Sequence, residues 1–139
     1  MSLEVSYGII PFRRLKRSIE ILLIQHHAGH WSFPKGGAEP SEHPIDAAQR
    51  ELREETGLEI KRLIIPEDTL CEHYFFNRGN DKVQKRVEYF IAEVEGELDI
   101  QIEEIRDSIW LSPEKIEDQA TFPESKRICR RVIDLLMQL

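Results

Sequence analysis

Residues 50–58 read RELREETGL, and the order of charges in that stretch decides how the chain is understood. On a helix of about 100° per residue, Glu51, Glu55 and Glu54 fall within one sector roughly 100° wide. Ile45, Ala48 and Leu52 fall directly beside it, so the three carboxylates border a buried face instead of its solvated back. That placement is costly, because like charges one turn apart repel and each gives up part of its water. A hard cation relieves both costs, and an all-oxygen ligand set suits Mg2+, with Mn2+ as a substitute. On the helix alone, a solvated acidic surface with Arg50 and Arg53 as partners accounts for the pattern equally well.

Working outward, Pro44 suits the first turn of a helix over Pro44–Thr56, and Gly57 suits a left-handed position just past its end. Before it lies HHAGHWSFPKGGAEPSEHP, dense in Gly, Pro and His, which reads as irregular. Earlier still, Val5–Phe12 and Ile19–Gln25 read as strands joined by a solvated hairpin loop, Arg13–Arg17. Beyond the helix, Glu59–Ile65, Thr69–Asn77, Lys85–Val94 and Ile109–Leu111 read as strands, with Gly79-Asn80-Asp81 as a turn. Glu124–Leu139 reads as an amphipathic helix with Ile128, Val132, Leu135 and Leu136 on its apolar side. The pattern is mixed α+β, a sheet packed between or beside helices.

Gly36 is followed by five residues and Glu42, then by seven residues and Arg50. With Glu51, Leu52, Glu54, Glu55, Gly57 and Leu58, this gives nine positions that match the Nudix box in identity and spacing. The chain resembles the Nudix (MutT-like) hydrolases, closely in the box and more loosely from about Tyr7 to Phe122. The resemblance implies an αβα sandwich with a mixed sheet between helices. It also implies metal-dependent cleavage of a diphosphate linkage in a nucleotide.

By that resemblance, Glu51, Glu54 and Glu55 are metal ligands, and Gly36 offers its backbone carbonyl. Glu42 and Arg50 pair to hold the loop against the helix, and Gly57 terminates the helix. A further ligand is expected from an acidic loop before a Trp-containing strand; Glu104, six residues before Trp110, fits that pattern, with Glu103 as its rival. A carboxylate taking a proton from the attacking water completes the chemistry. Glu54 is the expected base, with Glu51, Glu55 and Glu104 as rivals.

Substrate choice within such a family must be argued from outside the box. HWSFPKGG, the opening YGIIPFRR, the later EHYFF with VEYFIAEVEG, and ATFPESK all resemble the diadenosine tetraphosphate hydrolase branch. That likeness implies release of ATP and AMP, with His30 and Lys35 on the polyphosphate. Lys82 and Lys85 would add charge for distal phosphates, or simply decorate a hairpin end. Tyr74 and Phe122 would stack on an adenine ring, or else serve as core aromatics. His26 and His27 read as loop residues, Trp31 and Phe33 as packing anchors, and Tyr89 and Trp110 as structural. WSFPKGG also resembles the loop of RNA 5′-pyrophosphohydrolases, and a nucleotide-sugar pyrophosphatase is a further alternative. A non-catalytic nucleotide-binding Nudix module, the reading from another class, would be expected to have lost acids from the box.

The totals fit these readings. A chain of 139 residues with 40% hydrophobic and 32% charged residues suits one domain over residues 1–139. A net charge of -7 and pI near 5.3 disfavour tracking along nucleic acid by charge, so no stable nucleic acid complex is expected. A nucleotide-sized substrate remains compatible, since a metal supplies positive charge locally. Cys71 and Cys129 have no paired metal spacing and read as free thiols of a reducing compartment, with one disulfide as the alternative. No signal peptide is visible and no apolar run approaches ~20 residues, so a cytoplasmic protein that does not span a membrane is expected. The oligomeric state is left open.

Overall fold

The computed structural model describes residues 2–64 and 70–138. Eight strands are found among them: β1 (Ser2–Arg14), β2 (Ile19–His26), β3 (Trp31–Ser32), β4 (Lys35–Gly37), β5 (Glu59–Ile64), β6 (Leu70–Arg78), β7 (Asp81–Glu95) and β8 (Ile105–Leu111). The helices are α1 (Pro44–Thr56), α2 (Ile116–Gln119), which follows a short 3-10 turn at Pro113–Lys115, and α3 (Pro123–Leu136). The expected strand ends Ile65 and Thr69, and the expected helix end Leu139, lie outside the described residues.

The sheet is mixed. At its centre β1 and β7 run parallel, from Ser2 beside Val83 to Phe12 beside Glu93. All other pairings are antiparallel: β1 with β2 and β4, β2 with β3 and β8, and β7 with β5 and β6. Each central strand therefore changes partner along its length. The outer edge of β1 passes from β4 at residues 6–8 to β2 at residues 12–14.

Alternation of side chains divides the apolar residues between two faces. Ile9, Leu22, Ile24, Ala92 and Val94 pack against Ala48 and Leu52 of α1. Ile10, Phe12, Ile21, Leu23, Val87, Tyr89 and Ile91 pack against Ile128, Cys129, Val132 and Leu136 of α3. The sheet lies between helices, the α+β sandwich expected of the sequence.

Several local expectations change. The strands are longer than their hydrophobic runs, because pairing continues where side chains turn polar. Thus β1 reaches Arg14, shortening the expected Arg13–Arg17 loop, and β7 starts at Asp81. The stretch read as irregular contains β3 and β4, which are short because Pro34 interrupts them. His26 ends β2 instead of lying in the loop.

Candidate active site

Helix α1 starts at Pro44 and stops at Gly57, whose φ of 75° is left-handed and whose N–H donates to the Arg53 carbonyl at 2.9 Å. Its apolar stripe seats Ala48 and Leu52 in the core. The acids beside that stripe form a gradient. Glu55 is 2% exposed, while the side chains of Glu51 and Glu54 are 15% and 53% exposed.

Arg50 organises the loop before the helix. Its Nε and Nη2 donate to the two carboxylate oxygens of Glu42 at 2.9 and 3.0 Å, and Nη2 also donates to the Gly37 carbonyl at 2.9 Å. The Glu39 backbone N–H adds a bond to Glu42 at 2.9 Å. Hydrogen bonding from Arg50, then from Glu39, holds the Glu42 carboxyl down at about 2. The remaining nitrogen, Nη1, reaches Glu51 Oε1 at 3.0 Å and Glu54 Oε2 at 3.4 Å.

Gly36 pairs with Tyr7 across β1 and β4, with the Glu51 carboxyl group directly against it; a Cβ there would overlap that carboxyl. Burial raises the pKa of Glu51 in spite of Arg50. Burial, then the charges of Glu51 and Glu104, pushes Glu55 up to about 9, opposed by a hydrogen bond from the Lys35 backbone N–H. Glu104 enters this group because its loop is tied to the end of α1. The Asp99 N–H donates to Thr56 O at 2.8 Å, and the Gln101 N–H donates to Glu55 O at 3.0 Å.

Three observations fit a hard cation here. The donors are all oxygens, Gly36 lets the Glu51 carboxyl lie directly against the loop backbone, and Glu55 Oε2 is buried with no hydrogen-bond partner. Among the described residues no three acids, histidines or cysteines are drawn together as a finished ligand shell. Repulsion accounts for this: Arg50 is the counter-charge for Glu51 and Glu54, while at Glu55 burial and the charges of Glu51 and Glu104 outweigh that of Lys35.

On the opposite face of the sheet, a cavity of about 250 Å³ is lined by His30, Lys35, Tyr74 and Phe122, together with Glu72 and Ser125. Two hydrogen bonds between Trp31 and Thr121 bring His30 and Phe122 together. The Trp31 N–H donates to Thr121 Oγ1 at 2.8 Å, and the Thr121 N–H to Trp31 O at 3.2 Å. The His30 ring then lies 5.1 Å from Phe122 and stacks on His26 at 4.4 Å. Burial, then Lys35, lowers the pKa of His30.

Lys82 and Lys85 do not line this cavity. They stand three residues apart on one strand, so they leave opposite faces of it. Exposed Lys82 sits 5.0 Å over the Phe75 ring, while Lys85 Nζ donates to Ser6 Oγ at 2.7 Å. Glu72 and Ser125 were missed in the sequence. A charge between Leu70 and Tyr74 on the inward side of β6 was a signal for Glu72; Ser125 carried none.

The NUDIX domain family model matches residues 3–132. The chain belongs to the Nudix family. A curated relative, the asymmetrical bis(5'-nucleosyl)-tetraphosphatase of Rattus norvegicus, is 36% identical over 130 residues, 86% of each chain. The structure of a Caenorhabditis elegans Ap4A hydrolase binary complex superposes with a TM-score of 0.75 at 25% identity, covering 98% of this chain and 99% of that one. A shorter likeness, 56% identity over 34 residues, links 24% of the chain to 20% of an RNA pyrophosphohydrolase of Bartonella bacilliformis. This Nudix protein is a hydrolase homologous to the asymmetrical tetraphosphatases, an activity that breaks a pyrophosphate linkage. Nudix hydrolases generally use divalent cations.

Proposed function

We propose that this Nudix hydrolase cleaves diadenosine tetraphosphate asymmetrically to ATP and AMP. The observation that carries the reading is the double position of Lys35. Its backbone N–H holds Glu55 in the acidic cluster, and its side chain lines the cavity on the other face of the sheet. One residue thus joins a group of acids to a pocket with aromatic walls, the arrangement a nucleotide with a long phosphate chain requires. The name of the rat relative supports asymmetrical cleavage of a bis(5'-nucleosyl) tetraphosphate, and the Ap4A hydrolase structure supports adenosine as the nucleoside.

Glu51, Glu54, Glu55 and Glu104, with the Gly36 carbonyl, would hold Mg2+, with Mn2+ as a substitute. When bound, the cation neutralises phosphate oxygens that otherwise repel a nucleophile. Glu54, the most exposed of the three box glutamates, takes the proton from the water as the water's oxygen bonds to an outer phosphorus. The bridging P–O bond breaks, leaving ATP on one side and AMP on the other. Lys35 and His30 bind the phosphate chain, and Lys85, whose charge is felt by Lys35, adds to the positive field beyond them, while Lys82 leaves the other face of β7. Tyr74 and Phe122 hold an adenine ring. Cys71 and Cys129 are free, and a reducing, cytoplasmic setting keeps them so.

A second reading, removal of pyrophosphate from an RNA 5′ end, is favoured by the short RNA pyrophosphohydrolase likeness. Product analysis separates them. With Mg2+ and a panel of dinucleoside polyphosphates, nucleotide sugars and 5′-triphosphate RNA, we expect ATP plus AMP from diadenosine tetraphosphate as the fastest reaction. Turnover confined to RNA or to nucleotide sugars would overturn the assignment, and binding without turnover would mark a non-catalytic module.

A further inference from the structure

The cavity contains a group for which phosphate chemistry has no use. Glu72 stands on β6 in the inward row with Leu70 and Tyr74, is 4% exposed, and borders the same space as Tyr74 and Phe122. Ser125, 1% exposed, donates its hydroxyl to Glu72 Oε1 at 3.2 Å. Burial pushes the Glu72 pKa up, opposed first by the charge of Lys35 and then by hydrogen bonding from Ser125 and Tyr89. A carboxyl group so placed is expensive, and an apolar side chain would wall a stacking pocket at less cost. Its place on the cavity wall beside two aromatic rings points to a polar partner inside the cavity.

We propose that Glu72, anchored by Ser125, reads the amino-bearing edge of the base held by Tyr74 and Phe122, so that the pocket selects amino purines over their keto counterparts. The inference rests on the cavity being the nucleotide pocket of the proposed function. Adenine presents an exocyclic N–H donor that a carboxyl oxygen accepts. Hypoxanthine places a carbonyl oxygen there and sets acceptor against acceptor. Stacking on the aromatic rings does not distinguish the two bases, because both have the same flat face. Lys35 and His30, which face the phosphates, do not distinguish them either.

The test is the ratio of kcat/KM for diadenosine over diinosine tetraphosphate in the wild type, Glu72→Leu, Glu72→Gln and Ser125→Ala. Calorimetric binding of ATP and ITP is measured alongside. The wild type is expected to favour the adenosine compound by at least ~10-fold. Glu72→Leu is expected to bring the ratio near unity by losing the adenosine substrate, and Glu72→Gln to lower it by gaining the inosine substrate, because an amide N–H donates to the keto oxygen that a carboxylate repels. A general disturbance of the pocket, or of the charge on Lys35, would slow both substrates alike and leave the ratio unchanged, which overturns the proposal. If Glu72→Leu does not fold, Ser125→Ala, which frees the carboxyl without removing it, is expected to lower the ratio by about 3-fold or more. No change there also overturns it. An ATP-over-ITP preference without tetraphosphate cleavage removes the proposed reaction and leaves Glu72 as the base reader. Cleavage without any base preference does the reverse.

Discussion

Arg50 and Glu54 sit one helical turn apart, and the 3.4 Å contact between Nη1 and Oε2 is longer than the bonds Arg50 makes to Glu42, Gly37 and Glu51. Of the two box glutamates that Arg50 reaches, Glu54 is therefore the one held more loosely, and it is the most open to solvent of Glu51, Glu54 and Glu55. Glu54→Gln is expected to leave the melting temperature unchanged while lowering kcat by ~10²-fold or more. A variant with the wild-type rate removes Glu54 from the mechanism.

The pairing of Gly36 with Glu51 makes a sharper demand. Gly36→Ala forces a methyl group into the Glu51 carboxyl, and displacing that acid is expected to lower kcat by about 10²-fold. Gly37→Ala is the control, because a methyl group at Gly37 meets nothing within 4 Å. Equal losses in both variants would mean that loop flexibility, and not the space beside Glu51, is what matters.

Tyr74 lines the cavity, and the proposed function gives it base stacking, worth about 1–3 kcal/mol. Tyr74→Ala is expected to raise KM by roughly 5- to 10²-fold with a smaller change in kcat, and Tyr74→Phe to behave almost as wild type. An unchanged KM in the alanine variant would leave Tyr74 as a packing residue.

His26 gives a pH dependence of stability. Burial, then the neighbouring His30 and Lys35, lowers its pKa from 6.5 to about 4 in the folded protein. The unfolded chain takes up this proton first, so the stabilisation is complete above pH 6.5 and is lost as the pH falls towards 4. His26→Gln is expected to flatten that part of the melting-temperature profile, with roughly 2–8 °C separating the curves for each 1 kcal/mol involved. Parallel profiles over this interval would exclude His26 as the source.

The box was legible because each of its residues answers a local requirement. Gly57 ends a helix, Leu52 fills a core, and the acids follow the edge of an amphipathic stripe. The gradient from buried Glu55 to exposed Glu54 follows from helix periodicity alone. The aromatic pocket was only partly legible. Tyr74 and Phe122 carried a family likeness, but the Trp31–Thr121 bonds that bring Phe122 to His30 join segments 90 residues apart. Glu72 escaped notice because a lone acid in a strand ordinarily faces water; the packing of α3 over β6 buries it. Strand ends were misjudged for the opposite reason, since backbone pairing continues past the apolar run into residues such as Arg14 and Asp81.

The central parallel pair has a consequence for biosynthesis. Ser2 must wait for Val83, so one edge of the nascent N-terminal strand lacks its neighbour after β2 and β4 have already been made. At about 5–20 residues per second, roughly 80 residues take several seconds to follow, and through that interval the unpaired edge of β1 is open to other chains or to chaperones.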